Sequence, residues 1–236
     1  MLTRRKIKLL EGLKNMGVTT TDDNCKAIRD AEIVIIAVQP SQLALLLKEI
    51  KSHLNPQKHI VVSIVTGVSL SVIQKIIGTR ITLLRAMPNT AIAIQNSITC
   101  IASQNADEFH KIKVLAIFEK LGKAIFIEEE LMSSATVLGA CGIAYAMRYI
   151  RAASQGGIEI GFDAETAQLI AAQTIKGAPS LLLTHGKHPE SEIDKVTTPR
   201  GCTIAGLNEM EHQGFSSALI KGILTSHKKI NHILES

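Results

Sequence analysis

The densest run of groups able to do chemistry is Asp194-Lys195-Val196-Thr197-Thr198-Pro199-Arg200-Gly201-Cys202-Thr203-Ile204-Ala205-Gly206-Leu207. Thr198-Pro199-Arg200-Gly201 reads as a turn entering a helix, and the first backbone N–H groups of a helix have no partner inside it. Those groups, at the positive end of the helix, can hold a small carboxylate. An ordinary helix start capped by a hydroxyl has the same spacing, so the run alone does not separate the two readings. A side chain at Arg200 would be costly at positive φ, so an ordinary backbone conformation is expected there. Glu128-Glu129-Glu130 opens another helix, where the macrodipole stabilises carboxylates whether or not they meet a ligand. Arg4, Arg5, Lys6 and Lys8 form a basic cluster, either a solvated face or an anion contact. Cys25, Cys100, Cys141 and Cys202 stand apart, with no CxxC pair and no His at ligand spacing. No metal site is expected, and a reducing, cytoplasmic setting is.

Two apolar runs, residues 33–38 and 59–64, read as strands buried on both faces of a parallel sheet. Their exits, Ala37-Val38-Gln39-Pro40 and Ile64-Val65-Thr66 before Gly67, would lie at strand C-terminal ends, where open α/β sheets bind ligands. Helical patterns over 41–51 and 69–77 alternate with them, and 81–85 gives a third strand. Residues 98–102 and 124–127 bracket a helix over 106–121, with Gly122 as its C-cap. This alternation predicts an α/β, doubly wound sheet with right-handed crossovers. After residue 127 the strand signals stop. A long helical stretch from 128, interrupted at Gly156-Gly157 and Gly161, is followed by helices over 164–184, 203–212 and 215–233. The expected division is therefore 1–127 and 128–236. Rows such as Leu169-Ile170-Ala171-Ala172 and Leu181-Leu182-Leu183 are apolar on more than one face, which predicts an intertwined helical homodimer.

Composition narrows the function classes. The chain is 46% hydrophobic and 20% charged, as a globular protein is. Without Trp, and with five Phe and two Tyr spread along 236 residues, it lacks a platform for stacking nucleic-acid bases. The net charge of +5 is modest and scattered, so no nucleic-acid partner is expected. The uncharged stretch 131–147 falls short of the ~20 residues of a spanning helix, and no membrane partner or signal peptide is expected.

The run from Asp194 to Leu207 resembles the signature loop of the pyrroline-5-carboxylate reductases. Shorter matches precede it in order: Ala37-Val38-Gln39-Pro40, Thr66-Gly67-Val68, Arg85-Ala86-Met87-Pro88-Asn89-Thr90 and Gly142-Ile143-Ala144-Tyr145. The resemblance implies reduction of 1-pyrroline-5-carboxylate to L-proline with NADPH or NADH, by a Rossmann-like dinucleotide-binding domain followed by a helical dimerisation and substrate-binding domain. It implies that the Thr203 hydroxyl meets the ring nitrogen of the substrate, positioning it and relaying a proton. Thr198, Gly201 and Cys202 would line the substrate with it, and Glu129 would lie near the substrate amine. The cofactor would be held by Ala37, Val38, Gln39, Pro40, Ile64, Val65, Thr66 and Lys195, and by Asn24, sixteen residues before Pro40. Thr3, Arg4 and Arg5 fall where an adenosine 2′-phosphate would be approached.

The sequence also departs from the family. A strand, a GxGxxG turn and a helix are expected ahead of Thr3 and are absent from these residues, and with them the sheet's central strand and the turn that seats a pyrophosphate. Gln39 stands for the usual Lys, Ala91 for Pro and Arg200 for Gly, and Gly139, Cys141 and Ile143 replace a Ser-Gly-Ser-Gly-Pro pattern. Two function classes follow: a reductase whose coding sequence extends upstream, or a non-catalytic remnant that folds and dimerises without the dinucleotide.

Overall fold

The computed structural model describes residues 1–235. The chain separates into two compact units, one of Met1–Ala140 with the C-terminal stretch from His227, the other Cys141–Ser226. The strands do end near residue 127, but the first unit continues past it because Met132, just after, is buried in the core beneath the sheet.

That core is built on a five-stranded sheet in spatial order β3 (Ile33–Ile36), β4 (Ile60–Ser63), β5 (Thr82–Met87), β6 (Ser97–Gln104), β7 (Gly122–Phe126). Each of β3→β4→β5 is parallel to its neighbour and reached through a helix: α3 (Pro40–Ile50), then α4 (Leu70–Ile77). Helical periodicity explains both. Leu43, Leu47 and Ile50 of α3, and Leu70, Ile73 and Ile77 of α4, are the buried stripes, and the Ser69 hydroxyl accepts from the Val72 N–H to cap α4. With Val61, Leu83 and Met87 they form one face of the core; Val62, Leu84, Ala86 and Ile101, with Val114 and Phe118 of α5 (Glu108–Glu119), form the other. The doubly wound α/β architecture is as the alternation predicts.

Three details differ from expectation. First, β6 runs antiparallel to β5. The chain returns from Met87 through one 3-10 turn, Thr90–Ile94, and a connection that short cannot make a parallel crossover. Second, residues 33–38 are not buried on both faces: β3 pairs only with β4, and Ile35 is 47% exposed. The short parallel strands β1 (Leu2–Thr3) and β2 (Thr20–Thr21) form a separate sheet, so no strand among the described residues pairs with β3's outer edge. Third, Gly122 does not cap α5. It opens β7 at φ 137, where an added Cβ would fall 2.1 Å from the Ser97 carbonyl oxygen.

The second unit is helical: α7 (Gly142–Glu159), α8 (Ala164–His185), α9 (Pro189–Val196), α10 (Cys202–His212) and most of α11 (Phe215–Glu235). Between the units' numbering, α6 (Met132–Ala135) passes through a π-helical stretch, Thr136–Cys141, into α7. Gly156 and Gly157 do not interrupt α7. Gly157 lets α8 approach, since a Cβ there would sit 2.9 Å from that of Ala167, and Gly161 at φ 113 ends the segment. Ala167 and Ala171 are the buried residues of α8, while Leu169, Ile170, Leu181 and Leu183 stay exposed. The run Glu129–Glu159 is long and apolar enough by length and composition to cross a membrane. Met132, Thr136 and Val137 within it are buried, while Leu138 and Met147 are exposed.

Candidate functional site

In the first unit, parallel register puts the exits of β3 and β4 side by side: Ile36 is opposite Ser63, and the Ile64 N–H donates to the Ile36 carbonyl at 3.0 Å. Ala37, Gln39, Pro40 and Thr66 are exposed, Val38 and Ile64 half-buried, and Val65 is buried. Beyond β4 the chain bends as the Val65 N–H reaches back to the Ser63 hydroxyl at 3.3 Å, then reverses at Gly67 with φ 78. Only glycine takes that φ without strain. These seven predicted residues are therefore gathered at one sheet edge. Asn24 is not among them. It opens α2 (Asn24–Arg29), and its amide donates to both carboxylate oxygens of Glu49 at 3.2 and 3.3 Å. Glu49 lies nine residues along α3 from Pro40, about 14 Å at 1.5 Å per residue.

Glu129 follows β7 and reaches under the start of α4. Its Oε1 accepts the Leu70 N–H at 2.6 Å and lies 3.6 Å from a terminal nitrogen of Arg85. The Arg85 side chain is 5% exposed, in the middle of a strand in which every residue is buried. Burial lowers the guanidinium's pKa, while Glu129 pulls it back up. The Arg85 Nε is buried without a partner. Next along the strand exit, Asn89 is clamped on three sides: its N–H donates to the Ser97 hydroxyl, its Oδ1 accepts from Ala91, and its Nδ2 donates to the Gly139 carbonyl at 3.1 Å. Gly139 sits inside the π-helical stretch, a distortion common at functional sites.

The second unit holds the remaining predicted residues. Thr197 closes α9 by donating its hydroxyl to the Ile193 carbonyl at 2.8 Å. The Gly201 N–H then donates to the Thr198 carbonyl at 2.9 Å, so residues 198–201 form a tight turn. The expectation for Arg200 is overturned: its φ is 59, left-handed, as at the third residue of a type II turn, which favours Pro at the second position, here Pro199. Gly201 is the N-cap of α10 and offers no side-chain cap, so the N–H groups of the first turn have no side-chain acceptor. A Cβ on Gly201 would lie 2.6 Å from the Thr198 hydroxyl. Cys202 and Thr203 are exposed on this first turn. Lys195 is one helix back, paired with Glu192 at 2.6 Å. An uncapped helix start behind a hydroxyl-bearing turn is suited to a small carboxylate.

The sequence names Arg85 and Asn89 only within a run that resembles the family and gives neither a role. A charge inside the otherwise uncharged run 81–87 was the available signal, since a buried cation requires a carboxylate partner. Among the described residues no cluster of His, Cys, Asp or Glu is placed to hold a metal ion.

Residues 129–233 match the family model described as pyrroline-5-carboxylate reductase dimerisation, and residues 1–67 that described as NADP oxidoreductase, coenzyme F420-dependent. The chain is similar to pyrroline-5-carboxylate reductase 1 of Dictyostelium discoideum, 49% identical over 97% of this chain and 44% of that protein. It therefore spans less than half of that relative's length. It is also similar to pyrroline-5-carboxylate reductase 2 of the same organism, 46% identical over 97% of this chain and 82% of that one. Its structure is similar to that of a pyrroline-5-carboxylate reductase from Coxiella burnetii, with a TM-score of 0.93, 26% identity, and coverage of 98% of this chain and 87% of that chain. The fold is shared with Plasmodium falciparum pyrroline carboxylate reductase, solved with NADP bound, at a TM-score of 0.84, 24% identity, and coverage of 92% of this chain and 82% of that chain.

Proposed function

Since the chain belongs to the pyrroline-5-carboxylate reductase family, we propose that it reduces 1-pyrroline-5-carboxylate to L-proline with NADPH or NADH. The observation that carries this reading is the uncapped start of α10 behind the turn 198–201, with Thr203 on its first turn. The substrate carboxylate is held by the free N–H groups after Gly201, with Thr198 and Cys202 beside them. The Thr203 hydroxyl, donor and acceptor at once, orients the ring nitrogen and relays the proton that it gains or shares. A nicotinamide held there would supply the hydride, which with a proton turns the imine into the secondary amine of proline. The cofactor is held by Ala37, Val38, Gln39, Pro40, Ile64, Val65 and Thr66 at the sheet edge. Asn24, held by Glu49 about 14 Å along α3 from Pro40, is left out of this set. The exposed apolar rows of α8 support a homodimer formed through the helical half, in a soluble, cytoplasmic enzyme.

Thr203→Ala should cut turnover by about 10²-fold, the low end of general acid–base help, with dimer and circular dichroism unchanged. Unaltered turnover would remove Thr203 from the mechanism. A second reading, folding and dimerisation without dinucleotide binding, is favoured by one observation, the unpaired outer edge of β3 beside a separate β1–β2 sheet. Saturation of residues 1–236 by NADPH in a fluorescence titration at micromolar concentration would dispose of it.

A further inference from the structure

We infer that Glu129 is a positioning residue for the dinucleotide: anchored by the buried Arg85, it fixes the start of α4 and with it the loop that leaves β4. The inference rests on the proposed reductase reading and changes the role that the resemblance implies for Glu129. The loop 64–69 is tied down at both ends. At its start the Val65 N–H is held by the Ser63 hydroxyl, and at its end the Leu70 N–H, the first of α4, is held by Glu129. The second tie spans 59 residues of sequence and runs from the far edge of the sheet back to the β4 exit. Ser69 satisfies the Val72 N–H, so Glu129 complements it by taking a different orphan donor of the same helix start.

Charge explains why a carboxylate is used. Arg85 is buried in an otherwise uncharged strand, and a buried cation needs an anion nearby. Glu129 supplies it and at the same time faces the positive end of α4. Its Oε1 is already engaged by the Leu70 N–H and by Arg85. Among the described residues no donor reaches Oε2, and the two roles, a hold on the loop and contact with substrate, differ in whether the NADPH Kd or the substrate KM responds.

The test compares the wild-type dimer with Glu129→Gln, Glu129→Ala and Arg85→Met. NADPH Kd is measured by fluorescence, KM for pyrroline-5-carboxylate by steady-state kinetics, and exchange of the Leu70 amide by hydrogen–deuterium methods. Arg85→Met and Glu129→Ala should each raise the NADPH Kd about tenfold while the substrate KM stays within about twofold, a split that uniform loss of folding would not give. Their effects should fail to add when combined, because both act through one link. Glu129→Gln, which keeps the acceptor for Leu70, should fall between wild type and Glu129→Ala. The Leu70 amide should exchange faster in Glu129→Ala whether or not the protein is an active reductase, so this readout survives a failure of the functional reading. The inference is overturned if Glu129→Gln raises the substrate KM with NADPH Kd unchanged, or if Leu70 exchange in Glu129→Ala matches wild type.

Discussion

Replacing Arg200 with glycine should stabilise the second unit and weaken substrate binding together. Arg200 has φ 59, and the left-handed region costs a residue with a Cβ about 1–2 kcal/mol. Glycine adopts it freely but gives back about 0.5–1 kcal/mol through its more flexible unfolded state. The guanidinium also sits two residues before Cys202, the first residue of α10. A cation at that positive end is unfavourable by about 0.3–1 kcal/mol at low ionic strength, less as salt screens it. The net expectation is a gain of about 1 kcal/mol, or about 2–4 °C in Tm for a chain of this size. Arg200→Ala separates the causes, since it removes the charge and keeps the Cβ at the strained φ; its Tm should rise by about half as much, and that rise should vanish at high salt. If the turn binds the substrate carboxylate, both variants raise its KM by about threefold at low salt through loss of an exposed charge. Calorimetry and steady-state kinetics at two ionic strengths read both effects. A Tm for Arg200→Gly at or below that of Arg200→Ala would refute the reasoning, because it would mean that the left-handed φ stores no strain.

Two further substitutions probe the frame that holds the site. His59 is 3% exposed; its Nδ1 accepts the Asn55 N–H at 2.7 Å, so Nε2 carries the proton and donates to the Ile28 carbonyl at 3.2 Å. Burial chiefly, with Lys58 adding to it against the pull of the Ile28 carbonyl, lowers its pKa from the usual 6.5. The folded state therefore resists protonation, and His59's contribution is whole above about pH 6.5 and lost as pH falls below it towards the lower folded value. Urea midpoints should decline from pH 6.5 towards 5, and His59→Gln should flatten that decline; an unchanged slope would place its origin elsewhere. Gly122→Ala should destabilise the first unit by more than about 3 kcal/mol, since the new Cβ meets Ser97 backbone at a φ that only glycine favours. A loss under 1 kcal/mol in chemical denaturation would show that the β6–β7 approach can relax.

Much of the fold could be read from periodicity. The run 60–62 is uniformly apolar, as suits a strand covered on both faces, and Ser69 before an apolar helical stripe marks the start of α4. What escaped depends on tertiary context. Strand 33–36 is at least as apolar as 60–63, yet it lies at an edge, and composition does not record a missing neighbour. The short helix α9 has a helix-start pattern in His188-Pro189 with Glu190 and Glu192, but its few apolar residues give little periodicity. At the site, the turn 198–201 and the helix behind it were legible, but the sign of φ at Arg200 was not: a residue's identity states what a conformation costs, not whether the surrounding hydrogen bonds impose it. The Arg85–Glu129 pair joins residues far apart in sequence, beyond the reach of any local pattern.

The most direct measurement is stoichiometric: the native protein is supplied with pyrroline-5-carboxylate and NADPH or NADH, and L-proline and oxidised cofactor are counted in the same sample. One proline for each cofactor oxidised is the expected result. Cofactor oxidation without proline, or no proline from a protein that saturates with NADPH, would contradict it.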